Sequence, residues 1–227
     1  MCGINGFYSN SLSTYSNIIV EMNSAISHRG PDSSGTWFDK NSGIVLGHQR
    51  LSIIDVSSSG NQPMQSYSGR YILTYNGEIY NFLEIRKELE MNNTNIKWRG
   101  NSDTEILLES IDFWGIEPTL QKIQGMFSFG IWDQKTRSLT LARDRMGEKP
   151  LYYGWQGEGN NRVFIFGSEL KALKVHPEFS GQINRDAITL QLRHNCIPAP
   201  YTIYKDIYKL LPGNYLELKQ ADLKKIY

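Results

Sequence analysis

The second residue of the chain is a cysteine, in the start Met1-Cys2-Gly3. Removal of Met1 would place a thiol and a free α-amino group on one residue. A cysteine thiol titrates near 8.5 and needs a base to become a good nucleophile, whereas an α-amino group titrates near 7.7–8.0, against about 10.4 for lysine. The amine is therefore substantially neutral near pH 7, and one residue can supply both nucleophile and base. Gly3 leaves the approach to it uncrowded.

A second signal is Asn76-Gly77, within Tyr75-Asn76-Gly77-Glu78-Ile79-Tyr80-Asn81-Phe82. Asn-Gly after a strand is a turn signal. It also offers a side-chain amide beside an unobstructed backbone N–H, the donor pair that a developing oxyanion requires. Both readings stay open on these residues alone. Arg50 and Asp103 form a third signal. A guanidinium fork suits the α-carboxylate of an amino acid and a carboxylate suits its α-ammonium. The ordinary alternatives are a surface ion pair for Arg50 and a helix N-terminal charge for Asp103. His28 and His48 invite a general-base role, but hydrogen bonding within loops is the expected use of both.

These groups must be held by many short strands interleaved with a few helices. Gly3–Tyr8 reads as a strand. Ile18, Ile19, Met22, Ala25 and Ile26 recur at helical spacing, and Gly30-Pro31 stops that helix. Ile44–Leu46, Leu51–Ile54 and Tyr71–Tyr75 read as strands. Phe82, Ile85 and Leu89 form a helical stripe with Asn81 as its cap. Ser102-Asp103-Thr104-Glu105 is a capping box before Leu107, Leu108, Ile111 and Trp114. Two hairpins follow, one across Asp133–Ser138 and one joining Leu151–Trp155 to Arg162–Phe166. Clustered strands with helices between hairpins predict antiparallel sheets packed against helices. Beyond Pro198, prolines and then the charged end Lys219–Tyr227 read as the approach to a linker.

The 227 residues suffice for one domain with a sizeable core. A formal net charge of +1 gives no reason to expect nucleic acid or an anionic membrane as partner. No apolar run approaches the ~20 residues of a membrane-spanning helix, and the start has no signal-peptide character. A cytoplasmic protein is expected, with no disulfide between Cys2 and Cys196. Neither cysteine sits in a Cys-x-x-Cys pair, so no metal site is indicated.

Cys2-Gly3-Ile4, Ser27-His28-Arg29-Gly30-Pro31-Asp32, the run Gly47–Asp55, Asn76–Asn81, Ser102–Glu105, Gly125–Phe129 and Ala142–Tyr153 occur in that order. Together they resemble the N-terminal glutaminase domain of glutamine-hydrolysing asparagine synthetase, a class II glutamine amidotransferase of the N-terminal-nucleophile hydrolase fold. The resemblance implies an α+β protein, a four-layer α/β/β/α sandwich of two antiparallel sheets. It implies that Cys2, Asn76 and Gly77 are catalytic, as nucleophile and oxyanion pair. It implies that Arg50, Leu51, Ile53, Ile54, Glu78 and Asp103 bind glutamine. Residues 1–217 would be the glutaminase domain and 218–227 the start of a linker to an ATP-dependent synthetase domain. That domain would be the partner, and a homodimer is one assembly the resemblance allows. The chain has no Ser-Gly-Gly-x-Asp-Ser loop, so no cofactor is expected on it; ATP and Mg belong to the further domain. Aspartate is the acceptor implied. The alternatives are another carboxylate acceptor, or a silent module that binds glutamine without hydrolysing it.

Overall fold

A computed structural model of the chain describes residues 1–9, 15–92 and 96–220. In chain order the elements are β1 (Gly3–Ser9), α1 (Tyr15–Ala25), β2 (Ser33–Asp39), β3 (Ile44–Arg50), β4 (Met64–Gln65), β5 (Tyr71–Ile79), α2 (Phe82–Asn92), α3 (Asp103–Trp114), α4 (Ile116–Lys122), β6 (Gly125–Asp133), β7 (Ser138–Arg143), β8 (Tyr152–Gln156), β9 (Val163–Gly167), α5 (Leu170–Lys174), α6 (Arg185–His194), β10 (Ile207–Lys209) and β11 (Tyr215–Lys219). They form a six-stranded sheet, β10-β8-β9-β1-β3-β2, and a five-stranded sheet, β11-β7-β6-β5-β4. Every strand pairing is antiparallel.

Alternation along the strands builds the layers, because successive side chains point to opposite faces. In β5, Ile72 joins Ile4, Leu46, Trp132 and Phe166 in the core between the sheets. Its neighbours Leu73 and Tyr75 face the other way, onto Leu107, Leu108 and Ile111 of α3. In the six-stranded sheet, Phe7, Val45 and Ile165 turn outward onto Ile19, Met22 and Ile26 of the first helical stripe and Leu173 of α5. The result is the four-layer α/β/β/α order. Burying each such side chain stabilises the sandwich by roughly 1.5–3 kcal/mol.

Several local expectations are corrected. Leu51–Ile54 is not a strand; β3 ends at Arg50, and Ile53 is 74% exposed on the loop that follows. Asn76-Gly77 is not a turn but lies inside β5, paired with Ser128 and Phe127 of β6. Asn81 does not cap α2 with its side chain, which instead accepts from Gln124 N at 2.9 Å and donates to Lys122 O at 3.0 Å. Ser102 does cap α3, accepting from Glu105 N at 3.2 Å. Beyond Pro198 the chain is still sheet: β10 pairs with β8 and β11 with β7. The end of the linker reading, from 221 to 227, lies outside the described residues.

Candidate active site

At one end of the sandwich the two sheets are tied by polar groups. Thr74 Oγ1 of β5 donates to Gly47 O of β3 at 2.9 Å. His48 Nε2 lies 3.0 Å from Tyr75 O. His48 is therefore a buried strand residue and not a loop one. Burial drives its pKa down to about 4, so it is neutral and serves as a strut between sheets. His28 lies on the surface, 3.0 Å from Glu169 Oε1.

Just beyond these ties a cleft opens. Cys2, Arg50, Leu51, Ile53, Ile54, Asn76, Gly77, Glu78 and Asp103 all line it. The structure thus gathers around one cavity every residue to which the resemblance gave a catalytic or glutamine-binding role, while His28 and His48 lie outside it. Cys2 enters from the six-stranded sheet at the start of β1, Asn76 and Gly77 from the five-stranded sheet, and Asp103 from the first turn of α3.

The Cys2 sulfur contacts the Leu51 backbone on both sides, 3.4 Å from its N–H and 3.6 Å from its carbonyl. Burial pushes the thiol up, and the Leu51 N–H and the nearby positive charges only partly offset this. The thiol is protonated at neutral pH and requires a base.

Asn76 is buried, and its Nδ2 has no hydrogen-bond partner among the described residues. A buried amide donor without an acceptor is uncommon. The neighbouring Gly77 has a steric reason to be glycine, because a Cβ there would overlap the Met126 carbonyl oxygen across β6.

Arg50 is buried and takes part in no ion pair among the described residues. Its Nη1 donates to Ser57 O and Asn61 Oδ1, each at 2.8 Å, and its Nη2 donates to Asp55 O. The guanidinium thereby folds the 51–61 loop around itself. Gly60 permits this, since a Cβ there would collide with Arg50 Nη2. Asp55 fastens the loop on its far side by accepting from Ser57 N at 2.8 Å and Asn101 N at 3.2 Å.

Asp103 is the complement, a buried carboxylate without a cationic partner among the described residues. It accepts from Tyr75 Oη at 2.8 Å, Ile79 N at 3.0 Å and Thr104 N at 2.9 Å. Burial raises its pKa, and these three donors pull the other way.

Sequence reasoning missed Gln62, Tyr75, Thr104 and Lys149, which also line the cleft. Gln62 Oε1 accepts from Tyr75 N at 2.7 Å, fixing the strand that carries Asn76. Nothing in their spacing marks these residues. Among the described residues, no group of three or more His, Cys, Asp or Glu is arranged to hold a metal ion. No helix among them is long and apolar enough to cross a membrane.

Comparison with known proteins places the chain in a family. Two curated relatives are asparagine synthetases (glutamine-hydrolysing) of Bacillus subtilis. Number 3 is 35% identical over 98% of the chain, and number 1 is 36% identical over 96%. The chain spans only 36% and 34% of their respective lengths. Among solved structures, the glutamine phosphoribosylpyrophosphate amidotransferase of B. subtilis matches with a TM-score of 0.63 at 22% identity, covering 77% of this chain and 43% of that one. That likeness carries the fold alone, two antiparallel sheets packed between helices. The model of the glutamine amidotransferase domain matches residues 1–227 throughout, and the chain belongs to that family.

Proposed function

We propose that the chain is the glutaminase domain of a glutamine-hydrolysing asparagine synthetase and converts glutamine to glutamate and ammonia through a thioester on Cys2. One observation carries this reading. A buried cation and a buried carboxylate, neither ion-paired within the described residues, share a cleft with a thiol and a partnerless amide donor. Uncompensated buried charges are costly unless a ligand neutralises them. Free glutamine does so, its α-carboxylate on Arg50 and its α-ammonium on Asp103. The cleft holds about 110 Å³. Leu51, Ile53, Ile54 and Glu78 complete the wall around the substrate.

The chemistry follows from the Cys2 environment once Met1 is removed. The α-amino group takes the thiol proton, and the sulfur attacks the carboxamide carbon. Negative charge moves to the amide oxygen, where Asn76 Nδ2 and Gly77 N–H donate to it. The C–N bond breaks, and the α-ammonium returns its proton to the leaving ammonia. Water then adds to the γ-glutamyl thioester, which releases glutamate and restores the thiol. The boundary at 217 falls inside β11 (Tyr215–Lys219), so this domain reaches at least Lys219. The greater length of the relatives supports a second, ATP-using domain in which ammonia meets an activated carboxylate, with aspartate the acceptor we favour.

The test is glutamate release from glutamine by chain whose N-terminus is shown by mass to be Cys2. Turnover is expected, and Cys2→Ala is expected to abolish it. Tight glutamine binding without release would overturn the hydrolase reading in favour of a silent binding module.

A further inference from the structure

The carbonyl of Cys2 is held from outside the cleft. Arg29 Nε donates to Cys2 O at 2.9 Å, and Arg29 Nη1 donates to Glu169 Oε1 at 2.9 Å. Only 8% of the Arg29 side chain is exposed. Its stem lies flat on the start of β1, where a Cβ on Gly3 would come within 3.3 Å of Arg29 Cδ. Its Nη2 is buried without an acceptor among the described residues. Glu169 is therefore the sole carboxylate paired with this guanidinium among the described residues. Its other oxygen is 3.2 Å from Lys171 Nζ. Burial raises the Glu169 carboxyl, but hydrogen bonds from Arg29, Lys171 and His28 outweigh that and hold it below the usual range.

We propose that Glu169 is a positioning residue for the nucleophile, acting through Arg29 to fix the Cys2 carbonyl and with it the directions of the thiol and the α-amino group. Two groups on one Cα are aimed together by their peptide plane. A proton must pass between them, and the sulfur must meet a carboxamide carbon whose oxyanion donors, Asn76 and Gly77, sit on the opposite sheet. Misplacement of reacting groups by about 1 Å can lower a rate about 100-fold. A buried guanidinium that loses its carboxylate is strongly destabilised, so without Glu169 the Arg29 side chain swings out and releases the carbonyl. Glu169 lies on the connection between β9 and α5, outside the cleft lining. Its loss should therefore leave glutamine binding intact.

This inference rests on the glutaminase reading. The experiment measures glutamine kcat and KM for full chain with processed N-terminus, as wild type, Glu169→Ala, Glu169→Gln, Lys171→Met and Cys2→Ala, each with a thermal melt. The expected result is a 10- to 100-fold loss of kcat in Glu169→Ala with KM within threefold. Glu169→Gln, which keeps an acceptor for Arg29, should recover part of the loss. Lys171→Met, which removes a Glu169 partner that does not touch Arg29, should stay within twofold of wild type. If Glu169→Ala and Glu169→Gln both retain wild-type kcat while Cys2→Ala is dead, the positioning role is overturned and the glutaminase reading stands. A rise in KM matching the fall in kcat also overturns it. Turnover by Cys2→Ala overturns both.

Discussion

Asn76→Ala separates catalysis from stability in a way few substitutions can. The Asn76 amide nitrogen is buried and has no hydrogen-bond partner among the described residues. A buried donor left without an acceptor costs about 1–3 kcal/mol. Truncation removes that cost and leaves a small void in its place, so the two effects oppose each other. Net stability should change by less than about 1 kcal/mol, or under about 4 °C in Tm for a domain of this size. The transition state behaves differently, because charge then develops where the amide points. Removing one such donor is worth about 2.7–4 kcal/mol, a loss of about 100- to 1,000-fold in kcat. KM should stay within a few-fold, since Arg50 and Asp103 still hold the amino-acid end. Initial rates of glutamate release across glutamine concentrations give kcat and KM, and a melt on the same preparation gives Tm. A kcat within tenfold of wild type would refute the oxyanion role. A Tm fall beyond about 8 °C would show that the amide makes a structural bond in the resting protein.

Arg50→Lys keeps the charge but loses the fork that holds Ser57 O, Asn61 Oδ1 and Asp55 O. KM should rise about 10- to 100-fold, in line with about 1.5–3 kcal/mol for a charge-assisted bond, and protease should cut the 51–61 loop faster; unchanged KM would contradict the carboxylate role. Glu109, buried on α3, has its pKa pushed to about 7, chiefly by burial. A carboxyl raised on folding is most favourable while protonated, so its contribution is lost as pH rises from about 4.5 to 7. Glu109→Gln should accordingly be more stable than wild type at pH 8, by about 1–3 kcal/mol, and equal to it at pH 4.5 in denaturant melts; the reverse ordering would refute the assignment. Finally, kcat/KM should rise with pH through the α-amine range near 7.7–8.0 and show no imidazole step near 6.5, because His48 is neutral above about 4. A step near 6.5 that His48→Gln removes would return the base role to the histidine.

The sandwich was legible because its parts carry local signals. The first helix has an apolar stripe, α3 has its Ser102 cap, and β6 and β7 alternate across a polar turn. What misled was chemistry that serves distant contacts. Leu51-Ser52-Ile53-Ile54 has a strand's composition, yet the Arg50 guanidinium captures the following carbonyls and bends the chain into a loop. Asn76-Gly77 has a turn's composition, yet Gly77 is small because β5 lies tight on β6. β2 escaped notice because Ser33–Asp39 is a half-buried edge strand with few apolar residues. Type and order raised Cys2, Asn76, Gly77, Arg50 and Asp103 as candidates with ordinary alternatives, and the family resemblance decided between them. Gln62 and Tyr75 did not stand out, since their part is to hold other residues and only the folded contacts reveal it.

Cys2 and its proposed oxyanion donors, Asn76 and Gly77, arrive on different sheets, joined near the cleft by Thr74–Gly47 and His48–Tyr75. The separation of reacting groups is thus a thickness, set by how the side chains between the sheets fill their layer. Ile4, Leu46, Trp132 and Phe166 act as spacers for a reaction they never touch. A methylene added among them should widen that layer and, on the proposed mechanism, alter turnover as well as stability. In this molecule the hydrophobic interior is also the gauge block of its chemistry.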